Sequence, residues 1–222
     1  MVTGGQGFVG RWLTAHLVAA GDRLVGPDRV DVTDAPALAA AVAEAAPDAI
    51  YHLAALTHVG RSWAEPAGTF AVNAVGTLHL LDAARACPRP PRVLVASSAE
   101  IYGVVTPADL PLTEGSPLRP VSPYAVSKVA AEYLALQAHL GFGLEVVRAR
   151  SFNHIGPGQD PTFVVPALAG RIVAAVAAGR RSVPVGNLSA RRDFTDVRDV
   201  VRAYRLLIER GQAGEVYNVC SG

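Results

Sequence analysis

Thr3-Gly4-Gly5-Gln6-Gly7-Phe8-Val9-Gly10 runs into Arg11-Trp12-Leu13-Thr14-Ala15-His16-Leu17-Val18-Ala19-Ala20, a helix-like stretch closed by Gly21. Gly4, Gly7 and Gly10 are spaced G-x-x-G-x-x-G. Glycine permits a tight turn and lets backbone amides approach a bound group closely. The free N–H groups and positive dipole end of the following helix attract a pyrophosphate. Such a turn follows a buried strand, yet only Met1 and Val2 precede Thr3, so either the first strand is cut short or the natural chain begins earlier than this one.

Outward from that turn, apolar runs alternate with helical spacing. Arg23-Leu24-Val25-Gly26 reads as a second strand broken by Pro27, and Asp28-Arg29 falls where such folds read the adenosine ribose. A carboxylate there binds ribose hydroxyls and an arginine pairs with a 2′-phosphate. Both residues are present, so NAD and NADP stay open. Asp31-Val32 follows, with Asp31 a candidate for the adenine amine and Asp34 a candidate cap for a helix over 36–46. Ala49 to Ala55 is a third strand ending in small residues, against which a cofactor can lie.

Residues 66–86 carry helical apolar spacing through Phe70, Val75, Leu78 and Leu81. Arg92 to Ala96 is a fourth strand, and Ser97 to Gly103 lies at its carboxyl end, where open parallel sheets place ligands. A proline-punctuated loop over 103–123 is long enough to be functional. A helix capped by Ser122 then runs to Gly141. Leu144 to Arg150 is a fifth strand, Ser151 to Gln159 a polar turn, and 165–178 a helix. A short strand over Ser182 to Gly186 follows, then a helix opened by Arg191 to Asp199, and a closing strand over Val216 to Val219. The alternation predicts an α/β fold, a Rossmann-like doubly wound parallel sheet with helices on both faces. Residues 1–150 are expected to form the dinucleotide-binding part. Residues 151–222 would form a small substrate-binding part interleaved with the last strands.

Composition narrows the class. Half of the 222 residues are hydrophobic, and the formal net charge is +1 without a basic patch, which argues against a nucleic-acid partner. No run of eighteen or more uncharged apolar residues is present, which argues against a membrane span. The start lacks a basic region followed by an apolar core, so no signal peptide is expected there. Cys87 and Cys220 are too few for a disulfide framework, and a cytoplasmic location is expected.

Tyr124-Ala-Val-Ser-Lys128 carries the chemistry. A Tyr and a Lys four apart share one helix face. A phenol titrates near ~10, and a nearby ammonium is expected to lower that value toward the range of general acid/base work. Asp193, Asp196 and Asp199 are spaced by three, but carboxylates in a helix's first turn answer its dipole, and the histidines show no ligand spacing. No metal is assigned.

Taken in order, the chain resembles the extended short-chain dehydrogenase/reductase family, the sugar-nucleotide epimerases, dehydratases and reductases. The glycine turn, His52-Leu53-Ala54-Ala55, Asn73 before Gly76-Thr77, Ser98 at a strand end, and Tyr124 with Lys128 carry the resemblance. Ser151 to Gln159, Val185-Gly186-Asn187-Leu188, Arg192 to Asp199 and Tyr217 to Gly222 look most like the branch reducing GDP-4-keto-6-deoxy-D-mannose, beside the GDP-mannose 4,6-dehydratases.

The resemblance implies that Tyr124 gives a proton to the sugar's keto oxygen and that Ser98 hydrogen-bonds that oxygen. It implies that Lys128 tunes Tyr124 and binds the nicotinamide ribose. It puts the cofactor, NADP or NAD, against Gly4, Gly7, Phe8 and Val9, against Asp28, Arg29, Asp31 and Val32, and against Leu53, Ala54, Ala55, Asn73 and Phe152. The nucleotide sugar would meet Asn153, Val185, Asn187 and Arg192. Glu100 stands two before Tyr102, where the dehydratases keep a base, and reductases can carry a glutamate there too. Ser98-Ala99 leans toward reductase. Family members continue past Gly222, so the resemblance implies a substrate-binding part cut short, and it implies a homodimer through the helices at 66–86 and 122–140. A GDP-mannose 4,6-dehydratase or another nucleotide-sugar epimerase or dehydratase is the enzymatic alternative, and a non-catalytic dinucleotide sensor on the same scaffold is the alternative of another class.

Overall fold

The computed structural model describes residues 1–27 and 29–221. In chain order these are β1 (Val2–Thr3), α1 (Phe8–Ala19), α2 (Ala35–Ala45), β2 (Ala49–His52), α3 (Val59–Ala64), α4 (Pro66–Phe70) and α5 (Gly76–Arg85). Then come β3 (Arg92–Ser98), α6 (Pro123–Phe142), β4 (Val146–Ser151), β5 (Asn153–Ile155), α7 (Val164–Ala177), β6 (Phe194–Asp196), α8 (Val197–Arg210) and β7 (Val216–Val219). Five strands form one parallel sheet in the order β1-β2-β3-β4-β7, and β5 pairs with β6 beside it.

Period-two alternation along the strands sends successive side chains to opposite faces. Ile50, Val93, Val95 and Val146 pack on one face with Leu38 and Val42 of α2, Leu80 of α5 and Ala135 of α6. Tyr51, Leu94 and Ala149 pack on the other with Leu13 and Leu17 of α1 and Val200 and Tyr204 of α8. Strands buried on both faces read as unbroken apolar runs, which is why the central ones were legible. The doubly wound α/β sheet is the fold expected.

Several expected elements differ. Arg23 to Gly26 is not a strand: β1 offers only Val2 and Thr3 as an edge, Gly26 has φ +92°, and Pro27 has no N–H to donate. Ser182 to Gly186 is not a strand either. Its Pro184 lacks a donor, the segment is largely exposed, and β6 takes the edge of β5 instead. The helix expected over 66–86 is interrupted by a π-helical turn at Ala71–Val75, which separates α4 from α5 and carries Asn73. Helix α3, unforeseen, precedes it. Helix α6 ends at Gly143 rather than Gly141, because Gly143 takes the left-handed φ of +72°.

Candidate active site

A cleft of about 570 Å³ opens at the carboxyl ends of the strands. Its phosphate end is built by the glycine turn. Gly4 has φ +71°, and a Cβ there would stand 2.8 Å from the Ala54 nitrogen, so β1 and the end of β2 meet only because that side chain is missing. A Cβ on Gly10 would stand 2.2 Å from the Gly4 carbonyl oxygen. Gly7 caps α1 without any side-chain hydrogen bond, and the first turn of α1 holds no acid. Gly4, Gly7, Phe8 and Val9 line the cleft, so the free amides of α1 meet it. This cradle fits the pyrophosphate of a dinucleotide. Leu53, Ala54 and Ala55 line the neighbouring wall.

The other wall comes from α6 and β3. Ser122 accepts from the Ala125 N–H at 3.1 Å and Pro123 occupies the first turn, which starts α6 just before Tyr124. The Tyr124 N–H donates to Ser62 Oγ at 3.2 Å, an anchor supplied by α3. Tyr124, Lys128, Ser98 and Glu100 all face the cleft, together with Phe152 and Asn153.

The expected effect of Lys128 on Tyr124 needs correction. Burial pushes the Tyr124 phenol up to about 12; the Ser98 hydroxyl works against that rise and the Glu100 carboxylate adds to it. Lys128 Nζ donates instead to the Ala96 carbonyl at 2.8 Å, and burial pushes its own pKa down to about 8. In this arrangement Tyr124 keeps its proton at neutral pH. It is set up as an acid rather than as a phenolate.

Several expected contacts lie away from the cleft. Asn73 is buried and committed elsewhere: its amide accepts from the Leu56 N–H and donates to the Leu56 carbonyl and to Ser127 Oγ. Val32 is a core residue, packed where a Cβ on Gly76 would collide with it at 2.6 Å. Asp31 is exposed and accepts from the N–H and hydroxyl of Thr33. Arg29 is exposed and does not line the cleft, while Asp28 lies outside the described residues. Val185, Asn187 and Arg192 sit on an exposed segment, with Asn187 turned to the Ser189 N–H and Arg192 to the Arg191 carbonyl. Asp34 does cap α2, through the Ala37 N–H at 3.0 Å.

Sequence reasoning missed residues that the fold brings in. His154 lines the cleft, stacks on Phe8 with ring centroids 6.2 Å apart, and donates from Nδ1 to the Phe152 carbonyl. That bond leaves Nε2 as an acceptor, and burial lowers the ring's pKa, so it stays neutral. Thr57, His58 and Phe163 also line the cleft. His154 lay within a quoted motif, and Thr57-His58 directly follow the small residues after β2. Phe163 carried no signal.

A dinucleotide cradle and a buried tyrosine acid on one cleft define a Rossmann-type oxidoreductase site. The chain belongs to the NAD dependent epimerase/dehydratase family, which it matches over residues 1–220. It is 45% identical over 226 residues to GDP-6-deoxy-D-mannose reductase of Pseudomonas aeruginosa, covering 100% of this chain and 74% of that protein. The structure of RMD from Pseudomonas aeruginosa complexed with NADPH superposes with a TM-score of 0.91, covering 100% of this chain and 77% of that one. A GDP-mannose 4,6 dehydratase of Dictyostelium discoideum is 36% identical over 183 residues, 81% of this chain and 51% of that protein.

Proposed function

We propose that the chain reduces the 4-keto group of GDP-4-keto-6-deoxy-D-mannose with NADPH or NADH. The observation that carries this reading is 45% identity across the whole chain to a GDP-6-deoxy-D-mannose reductase. A bound nicotinamide nucleotide supplies the hydride. Tyr124, protonated because it is buried, delivers a proton to the keto oxygen as charge develops there. Ser98 hydrogen-bonds the same oxygen and fixes its place, and positioned donors of this kind act without reorganising during the reaction. Lys128 holds a positive charge at the cleft wall, tethered to Ala96, and takes the nicotinamide ribose. Asn153 lines the same cleft and, in this reading, takes polar groups of the nucleotide sugar.

A second reading, GDP-mannose 4,6-dehydratase, is favoured by one observation: Glu100 lines the same cleft as Tyr124. The test is incubation with GDP-mannose alone, and separately with its 4-keto-6-deoxy product plus NADPH or NADH. Reduction of the keto sugar is expected. Conversion of GDP-mannose without added reductant, and none of the keto sugar, would overturn the first reading.

Two further parts of the proposal concern state and place. Trp63 of α3, Phe70 of α4, Val121 before α6 and Val126 on it leave an apolar groove, with Trp63 63% exposed, and we assign it to the contact of a homodimer. A monomer in sedimentation at micromolar concentration would count against this. Among the described residues no helix is long and apolar enough to cross a membrane. Cys87 and Cys220 are unpaired, which supports a reducing compartment such as the cytoplasm.

A further inference from the structure

Eight residues beyond Tyr124 on α6, Glu132 is fully buried, an unusual place for a carboxylate. It accepts from Ser97 Oγ at 2.7 Å and from Arg150, with Nη2 at 2.6 Å and Nε at 3.1 and 3.2 Å from its two oxygens. Arg150 Nη1 then donates to the Tyr102 hydroxyl at 2.9 Å and to the Glu114 carbonyl at 2.8 Å. The Tyr102 hydroxyl donates to Asn218 Oδ1 at 2.7 Å, and the Asn218 N–H donates to Glu114 Oε1 at 2.7 Å. Arg150 stands between Ser97 on β3 and Asn218 on β7 in the sheet register, so one guanidinium ties three strands to α6. Arg148 shares the carboxylate at 3.7 Å, so one buried acid serves two arginines.

We infer that Glu132, Arg150 and Tyr102 are positioning residues that hold the Ser98–Glu100 turn in register with Tyr124 and Lys128. The argument is where the brace attaches. Glu132 lies one helical turn beyond Lys128, on the same face of the same rigid helix. Ser97 is covalently next to Ser98, and Tyr102 closes the 3₁₀ turn that begins at Ala99 and carries Glu100. The two halves of the reacting constellation therefore sit at opposite ends of one chain of charge-assisted bonds, and such bonds are shorter and more directional than neutral ones. The loop over 103–123 is pinned by the same parts. Glu114 is held by Arg150, and the Arg119 N–H donates to the Ile101 carbonyl at 3.0 Å. Gly103 has φ +74° so that Arg119 can pass where a Cβ would fall on its carbonyl.

None of the three residues lines the cleft, so truncating them removes no contact with a ligand. Their effect passes through geometry, and a displacement of about 1 Å at a reacting centre costs up to ~100-fold in rate. A buried ion pair that loses one partner is strongly destabilised, so the deciding variant is Tyr102→Phe, which removes one hydroxyl and keeps every charge. Glu132→Gln and Arg150→Lys supplement it, the latter retaining charge while losing the fork.

The test has one arm independent of the reaction and one that rests on the reductase reading. In amide hydrogen exchange of the whole chain, Tyr102→Phe should speed exchange over 99–119 by about tenfold while α1 and α8 keep their wild-type rates. In kinetics, the kcat of Tyr102→Phe should fall about tenfold or more with the KM for NADPH within about twofold, and Arg150→Lys, which keeps the charge without the fork, should show a comparable loss. Unchanged exchange over 99–119, acceleration spread evenly over the chain, or a normal kcat in Tyr102→Phe would overturn the inference. If the wild-type chain reduces none of the sugars offered, the reductase reading fails by itself. The exchange arm then decides this inference alone.

Discussion

Asn73 pairs both backbone groups of one residue: its Oδ1 accepts from the Leu56 N–H at 2.7 Å and its Nδ2 donates to the Leu56 carbonyl at 3.0 Å. The second proton of Nδ2 goes to Ser127 Oγ at 2.9 Å, and Ser127 donates in turn to the Tyr124 carbonyl. One amide in a π-helical turn thus ties the loop after β2, part of the cleft wall, to the helix bearing Tyr124 and Lys128. The wide turn sets the side chain where a straight helix would not.

Asn73→Ala should therefore act on stability and on cofactor affinity together. It removes two hydrogen bonds to the partly exposed backbone of Leu56, each worth about 0.5–1.5 kcal/mol net. A urea midpoint lowered by a corresponding amount, with NADPH binding weakened several-fold, is expected from denaturation and fluorescence titration. A wild-type midpoint with wild-type affinity would remove Asn73 from this role.

Tyr124→Phe separates proton transfer from binding. The variant keeps the ring and loses the one group set up as acid, so turnover should fall by about 10²-fold or more. Cofactor affinity should stay within a few-fold, since little contact surface is lost. Near-normal turnover would sink the assignment of the acid.

The sheet was legible because its central strands are buried on both faces, so Val93 to Ala96 reads as an unbroken apolar run, and Val146, Val147 and Ala149 keep the apolar character of their strand although Arg148 and Arg150 interrupt it. The cradle was legible because backbone that must approach a phosphate needs glycine at fixed spacing. What escaped depends on partners far apart in sequence. Arg23 to Gly26 has strand composition but only a two-residue edge to join. The π-turn at Asn73 has no signature in apolar spacing. In sequence Asn73 stands among the cofactor contacts that the resemblance implies; in space it is a clasp. A Tyr–Lys pair on one helix face announces chemistry, whereas burial and the Ala96 carbonyl decide what each group's proton does.

Lys128 sets a pH limb. Burial lowers its pKa to about 8 from an ordinary value near ~10.4, so the ammonium is intact below 8 and lost as pH rises through it. Tyr124, near 12, keeps its proton throughout that window. The kcat/KM for reduction should be level from pH 6 to 7 and decline above about 8. In Lys128→Arg, which does not deprotonate in this range, the limb should vanish from whatever activity remains. A limb that persists unchanged in that variant would assign it to another group.

His52 makes the fold itself acid-sensitive. The Thr77 hydroxyl donates to the Asn73 carbonyl at 2.6 Å, so it accepts from His52 Nε2–H at 2.9 Å. Nδ1 is then the acceptor facing Thr3 Oγ1 at 2.7 Å, and the buried ring is neutral. Burial, assisted by the charge of Lys128, pushes its pKa down to about 3, against ~6.5 in the unfolded chain. The unfolded state binds the extra proton between these values, so stability declines as pH falls below 6.5, by about 1.4 kcal/mol per unit. Urea midpoints at pH 7.5 and 5.0 should differ accordingly, and His52→Gln should flatten the dependence. Equal slopes in both proteins would refute it.

Glu100 divides the two enzymatic readings. A dehydratase removes a proton from the carbon beside a new ketone and needs a carboxylate base at that point. A reductase needs only hydride delivery and the proton of Tyr124. Glu100 is half-buried in the cleft wall, and its N–H donates to Ser98 Oγ at 3.2 Å, so its backbone serves Ser98 whatever its side chain does. Glu100→Gln keeps size and most hydrogen bonding, retains that backbone bond and removes only the base. The carboxylate also pushes the Tyr124 phenol up, so its loss should lower that pKa slightly and leave the acid protonated at pH 7. Reduction of the 4-keto sugar should therefore continue at an appreciable fraction of the wild-type rate, measured by loss of NADPH absorbance. If the wild-type chain instead converts GDP-mannose without added reductant and Glu100→Gln abolishes that conversion, Glu100 is the base and the protein is a dehydratase.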